Sequence, residues 1–203
     1  LVDPTFHLTR RAVLALGLPR QQLSSSSHTR QLPVQAMRGT LRRLASLSHV
    51  DASTARPRMV DVGGKAVTAR RAVASCRVVL PAGAWDELSS SGFASKKGPV
   101  LTTAVIAGVQ GAKRTHELVP FCHSVALDGC DVAFEADDAA RALDITCSVA
   151  TSHRTGVEME ALTGCSVAAL AVYDMCKALS HDIEITNLRL LEKSGGKADF
   201  KRG

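Results

Sequence analysis

From Ala69 to Leu80 the chain reads Ala-Arg-Arg-Ala-Val-Ala-Ser-Cys-Arg-Val-Val-Leu. Apolar and other positions roughly alternate, the period of a half-buried strand. Pro81 then opens a short helix through Leu88, closed by the Ser89–Gly92 cluster. Pro99–Ala107 is predicted as β-rich or a buried segment, and Gly108–Leu118 as a helix stopped before Pro120. Cys130–Ala136 and Ala142–Ala150 are predicted strands joined by the hairpin loop Asp137-Asp-Ala-Ala-Arg141. The longest periodic stretch runs from about Val157 to Leu179. Leu162, Cys165, Ala169, Val172, Cys176 and Leu179 step by three or four, which is one face of a helix. Ala168, Ala169 and Ala171 keep that helix slim enough for close packing. Ile183–Leu191 returns as a strand, and a glycine-rich tail follows from Ser194 to Phe200. No unit repeats. Hairpins mixed with helices predict an α+β domain, an antiparallel sheet with helices packed on one face.

Against this pattern, four charged residues stand out on the long helix: Glu158 and Glu160 near its start, Asp174 and Lys177 near its end. A largely apolar helix keeps charge off its inner face, so ionisable groups at both ends suggest a site. The bland alternatives are acidic residues satisfying a helix N-terminus and a surface ion pair worth about 0.2–0.5 kcal/mol.

Composition narrows the classes. A chain of 203 residues holds one domain with a proper core, or a domain with a tail. Aromatics are only 3% of it, so the core is built from Ala, Val and Leu, and platforms for stacking nucleic-acid bases are scarce. The net charge of +6 is uneven. Residues 1–58 hold nine arginines and no lysine against Asp3 and Asp51, so the positive excess lies there and the rest of the chain is close to neutral. An Arg- and Ser-rich, acid-poor segment with short amphipathic stretches reads as an organellar transit segment. The chain begins at Leu1, so an inter-domain linker from a larger fused polypeptide is an equal reading. A nucleic-acid-binding arm ranks behind both. The six cysteines form no Cys-x-x-Cys pair and read as buried free thiols in a reducing compartment. No uninterrupted apolar run reaches the length of a membrane span.

Further chemistry lies in the loops. Lys96-Lys97 sits at a turn, His123 follows a helix and a proline, and Lys193-Ser-Gly-Gly-Lys197 is a basic glycine-rich loop without Walker spacing. Together Lys97, His123, Lys177, Lys193 and Lys197 suit a polyanionic substrate. Asp174, Glu158 and Glu160 are available for proton transfer.

Several of these stretches are long and rare. They are Met59-Val-Asp-Val-Gly-Gly-Lys65, Ile106-Ala-Gly-Val-Gln-Gly-Ala-Lys-Arg114, Val119-Pro-Phe-Cys-His123, Thr155-Gly-Val-Glu-Met-Glu-Ala-Leu-Thr163, Tyr173-Asp-Met-Cys-Lys177 and Lys193-Ser-Gly-Gly-Lys-Ala-Asp-Phe200. In this order they resemble the cyclic pyranopterin monophosphate synthase (MoaC) family of molybdenum cofactor biosynthesis. The likeness covers nearly all of residues 59–203 and leaves 1–58 outside it as a disordered segment. It implies a ferredoxin-like α+β fold. It also implies a lyase that converts 3′,8-cyclo-7,8-dihydroguanosine 5′-triphosphate to cyclic pyranopterin monophosphate with release of pyrophosphate. Carried over by motif, Asp174, Lys97 and Lys177 are the expected catalytic set. Phe121, Cys122, His123, Glu158, Met159, Glu160 and Lys193 are the expected substrate-binding set. Phe121 departs from the family's usual leucine, which alters the pocket shape slightly. The resemblance further implies a homohexamer, a trimer of dimers with sites at subunit interfaces, acting after a radical SAM GTP cyclase. No metal-ligating residue and no certain cofactor are assigned, with Mg²⁺ accompanying the triphosphate left open. No nucleic-acid or membrane partner is expected. A eukaryotic member with a presequence would reside in the mitochondrial matrix, and one without it in the cytoplasm.

Overall fold

Strand β1 (Thr68–Val79) alternates as its sequence requires: Ala72, Ala74, Cys76 and Val78 are buried, and the residues between them are half-buried. It pairs antiparallel with β5 (Ala142–His153) on one side and β6 (Glu184–Ser194) on the other. Strand β4 (Gly129–Asp137) pairs with β5, and the short β7 (Phe200–Lys201) extends the β6 edge. The sheet order is β4-β5-β1-β6-β7. With the intervening helices this is a βαββαβ chain whose four long strands lie in the order second, third, first, fourth. That is the ferredoxin-like arrangement expected from the sequence. The computed structural model describes Thr54 and residues 56–203. The transit-or-linker segment predicted over 1–58 lies almost entirely outside the described residues.

The helices lie on one face. They are α1 (Ala82–Ser90), α2 (Val100–Lys113), the single turn α3 (Thr115–Leu118) and α4 (Glu158–Cys176). A two-stranded ribbon, β2 (Ala94–Ser95) with β3 (Gly98–Pro99), separates α1 from α2 and carries Lys96-Lys97 at its turn. Within α2, Val100–Ala107 is helical, against the expected strand or buried segment. Val100, Ala104, Gly108, Gly111 and Ala112 form a buried helical stripe, and packing on α4 outweighs the β-branched composition. The ribbon and β7 carry too little pattern to be foreseen.

Helix α4 fills the centre of the α layer, burying Ala161, Cys165, Ala168, Ala169 and Val172 against β1 and β5. It approaches its neighbours very closely. A β-carbon at Gly164 would stand 2.5 Å from Cys147 Sγ, and one at Gly108 3.0 Å from the Gly164 carbonyl. By length and mean hydropathy this helix could cross a membrane, but it is half buried inside the fold with Glu158 and Glu160 at its start, as a core helix is. Four cysteines are buried, and Cys122 and Cys130 are half-buried; all six are unbridged.

Candidate functional site

The start of α4 and the ends of β1 and β6 enclose a cavity of about 400 Å³. Lys65, Arg70, Arg71, Arg154, Lys193 and Lys197 line it, and Glu158 is its one lining carboxylate. Glu158 pairs with Lys193 at 3.2 Å, and Arg71 pairs with Glu192 behind it. Arg70 belongs to the same strand row as Ala72, Ala74 and Cys76, so it reaches the pocket from the helix-facing side of β1. Its Nε is buried without a hydrogen-bond partner. A buried guanidinium N–H without a partner, beside further cations, suits an anion with several oxygens. Gly195, in the left-handed region at φ 79°, holds the Ser194–Gly196 backbone against β1; a β-carbon there would strike the Ala69 carbonyl.

A second pocket of about 220 Å³ shares Thr155, Gly156 and Glu158 with the first. Phe121, Cys122, His123, Met159 and Glu160 complete most of its wall. Glu160 is 5% exposed, and burial pushes its carboxyl up to about 7, with the Glu158 charge adding to the rise. Burial also raises the Cys122 thiol, again helped by Glu160. His123 Nε2 lies 2.8 Å from the Val60 carbonyl. A carbonyl only accepts, so Nε2 carries the hydrogen. All seven residues expected to bind substrate therefore gather around these two joined pockets.

The expected catalytic set lies at the opposite end of α4. Lys97 Nζ donates to Asp174 Oδ2 at 2.7 Å and to the Asp174 carbonyl at 2.8 Å, and Lys177 Nζ meets Asp174 Oδ1 at 2.9 Å. Two ammonium groups at a helix C-terminus also suit its dipole. Hydrogen bonds from Lys97 and Lys177 hold the Asp174 carboxyl down to about 2, and Asp174 in turn raises Lys177. Asp174 is thus a permanent anion that aims two lysines. Glu160, by contrast with Asp174, is held where it can exchange a proton near neutral pH. Lys97 also lines a separate cavity of about 610 Å³ between α1, the β2–β3 ribbon and the end of α4. Glu160 and Asp174 are 14 positions apart on one helix, about 21 Å at 1.5 Å per residue. Within one chain the binding set and the catalytic set do not meet.

Sequence reasoning assigned no role to Lys65, Arg70, Arg71 or Arg154. One signal was available: Arg70 continues the apolar row of β1, where an arginine needs a reason. Arg154 and Lys65 join the pocket through chain crossings that no local pattern encodes.

Six cations around one carboxylate, beside a pocket with an imidazole, a thiol and a carboxyl near neutral pKa, suit acid–base chemistry on a phosphate-bearing substrate. Among the described residues no cluster of three or more His, Cys, Asp or Glu is arranged to hold a metal. The chain belongs to the MoaC family, whose sequence profile matches residues 59–196. It is 56% identical over 159 residues to a "Cyclic pyranopterin monophosphate synthase" of Xanthomonas oryzae pv. oryzae, covering 78% of this chain and 94% of that one. It is 47% identical over 159 residues to a "Molybdenum cofactor biosynthesis bifunctional protein" of Synechocystis, covering 76% of this chain and 45% of that one. It is 48% identical over 175 residues to "Molybdenum cofactor biosynthesis protein 1" of Drosophila melanogaster, covering 86% of this chain and 30% of that one.

Proposed function

We propose that the chain is a cyclic pyranopterin monophosphate synthase of molybdenum cofactor biosynthesis. Its substrate is the cyclised guanosine triphosphate, 3′,8-cyclo-7,8-dihydroguanosine 5′-triphosphate, and pyrophosphate is the second product. The observation that carries this reading is the pair of joined pockets at the start of α4. The cation-lined one matches a triphosphate in charge, and the smaller one offers His123, Cys122 and Glu160 to a purine-derived ring. Rebuilding that ring needs proton transfers, for which Glu160 is suited. Closing the cyclic phosphate needs a substrate hydroxyl to attack the α-phosphorus while the bond to the β-phosphate breaks. Lysine and arginine stabilise the charge that accumulates on the departing pyrophosphate.

The Lys97–Asp174–Lys177 group joins this chemistry across a subunit interface in our reading. The supporting observation is the helix length that separates it from Glu160. A trimer of dimers with sites at interfaces follows the family resemblance, as does action after a radical SAM GTP cyclase. For residues 1–58, the Drosophila relative, of which the match covers 30%, supports a place within a longer polypeptide. The arginine-rich composition supports targeting to the mitochondrial matrix, whereas the bacterial relatives support a cytoplasmic setting.

The test is to incubate the purified full chain with the cyclised nucleotide and follow both products by mass spectrometry. Pyrophosphate and a cyclic monophosphate should appear in equal amounts. Unchanged substrate, or pyrophosphate with only a linear monophosphate, overturns the assignment.

A further inference from the structure

The Met59–Lys65 stretch belongs to no helix or strand, and its residues are exposed apart from half-buried Val60 and Val62. Apolar packing therefore does little to place it, and hydrogen bonds do so instead. Asp61 Oδ1 accepts the Gly63 N–H at 2.8 Å, and the Lys65 N–H donates to the Val62 carbonyl at 3.0 Å. These two bonds close a tight turn. The turn is fastened to the body from both pockets. His123, in the smaller pocket, holds the Val60 carbonyl, and Arg154, in the cationic one, donates from Nε to the Lys65 carbonyl at 3.0 Å. Beyond the turn, Thr68 Oγ1 donates to the Gly195 carbonyl at 2.9 Å, which ties the start of β1 to the loop that follows Lys193 at the end of β6 and carries Lys197.

We propose that Arg154 is a positioning residue: by gripping the Lys65 carbonyl it fixes the Lys65 ammonium in the wall of the anion pocket, and so sets that pocket's affinity for a diphosphate or triphosphate group. An arginine suits this task. Its Nε–H is spent on the carbonyl, while the two terminal nitrogens keep four donors for the anion. A lysine at 154 has one ammonium and cannot be oriented by a fork, so it preserves the charge and loses the grip. The seven-residue stretch Met59–Lys65 thereby gains a function as a clasp, preformed by Asp61 and Gly63 and fastened through Arg154 and His123. The inference rests on the proposed function only for the identity of the anion.

The experiment uses the full chain and inorganic pyrophosphate as probe. Binding is measured calorimetrically for wild type, Lys65→Ala, Arg154→Ala and the double variant. Backbone amide exchange over residues 61–66 is measured for the same proteins and for Arg154→Lys. Each single substitution should weaken binding about 10-fold. The double should lose no more than about 30-fold, because Lys65 without Arg154 is already misplaced. Exchange should quicken in Arg154→Ala and Arg154→Lys, and stay unchanged in Lys65→Ala. A double loss of about 100-fold, the product of independent effects, overturns the proposal. Coupled losses with unchanged exchange in both Arg154 variants overturn it too, since the coupling is then one of charge alone. Turnover of the cyclised nucleotide by the wild type is recorded alongside. A chain that shows the coupling without turnover loses the proposed function and keeps the clasp, and the reverse result does the opposite.

Discussion

Glu160→Gln isolates one buried carboxyl and turns its environment into a measurable pH dependence. Folding moves this group from an ordinary value of 4.5 to about 7, chiefly through burial. A carboxyl whose pKa rises on folding keeps its proton in the folded chain after the unfolded chain has lost it. Stability is therefore greatest below about 4.5, falls as pH climbs toward about 7, and levels off above. The whole gap corresponds to about 3 kcal/mol at 1.36 kcal/mol per pKa unit, of which about 2.5 kcal/mol falls between pH 5 and 8. Glu160 borders an open pocket, so water screens part of this, and about 1–2 kcal/mol is the expected loss. Glutamine has the same shape and never ionises. Calorimetric melting of both proteins between pH 5 and 8 should show the variant gaining on wild type with rising pH. The relative gain should reach about 3–6 °C at pH 8, using ~3 °C per kcal/mol for a body of this size. Turnover should meanwhile fall by orders of magnitude. A melting difference that stays constant across this range refutes the reasoning, because Glu160 would then not titrate within it.

Asp174→Asn and Lys177→Ala should each lower turnover by orders of magnitude with melting temperature within a few degrees of wild type, because these exposed ion pairs contribute little stability. Near-normal turnover in both would remove the Asp174 group from the site. Gly164→Ala should cost about 1–3 kcal/mol, seen as a melting temperature lower by about 3–9 °C, because the new methyl meets Cys147 Sγ. Adding Cys147→Ala should restore part of that loss, and no restoration would place the strain elsewhere. Deleting residues 1–58 should leave folding and turnover of the remaining chain unchanged, since the matched motifs begin at Met59; loss of soluble protein would contradict this.

Much of the fold was legible because two periods are written plainly in the chain. The alternation around Ala72–Val78 marks β1, and the three-to-four spacing from Leu162 to Cys176 marks α4. Val100–Ala107 misled because its valines, threonines and isoleucine favour strands, while its helical state depends on packing against α4, which no local pattern reveals. The candidate residues were legible as motifs, and so was their division between the two ends of the long helix. Glu160 and Asp174 stand 14 positions apart on one predicted helix, and the fixed rise of a continuous helix is enough to keep them apart. The cation pocket was the least legible part. Lys65, Arg70, Arg154 and Lys193 come from four separated stretches, and a fifth feature, the bare Arg70 Nε, exists only once the chain is folded.

The claim that joins these observations is that one working site needs both ends of α4 from different copies of the chain. Asp174→Asn and Glu160→Gln proteins, each inactive, are mixed under conditions where subunit exchange is verified by mass spectrometry, and conversion of the cyclised nucleotide is assayed. Sites shared between copies predict that activity returns in the mixture, because some pockets receive an intact Glu160 end and an intact Asp174 end. Exchange without any return of activity would contradict the account and leave each site to a single chain.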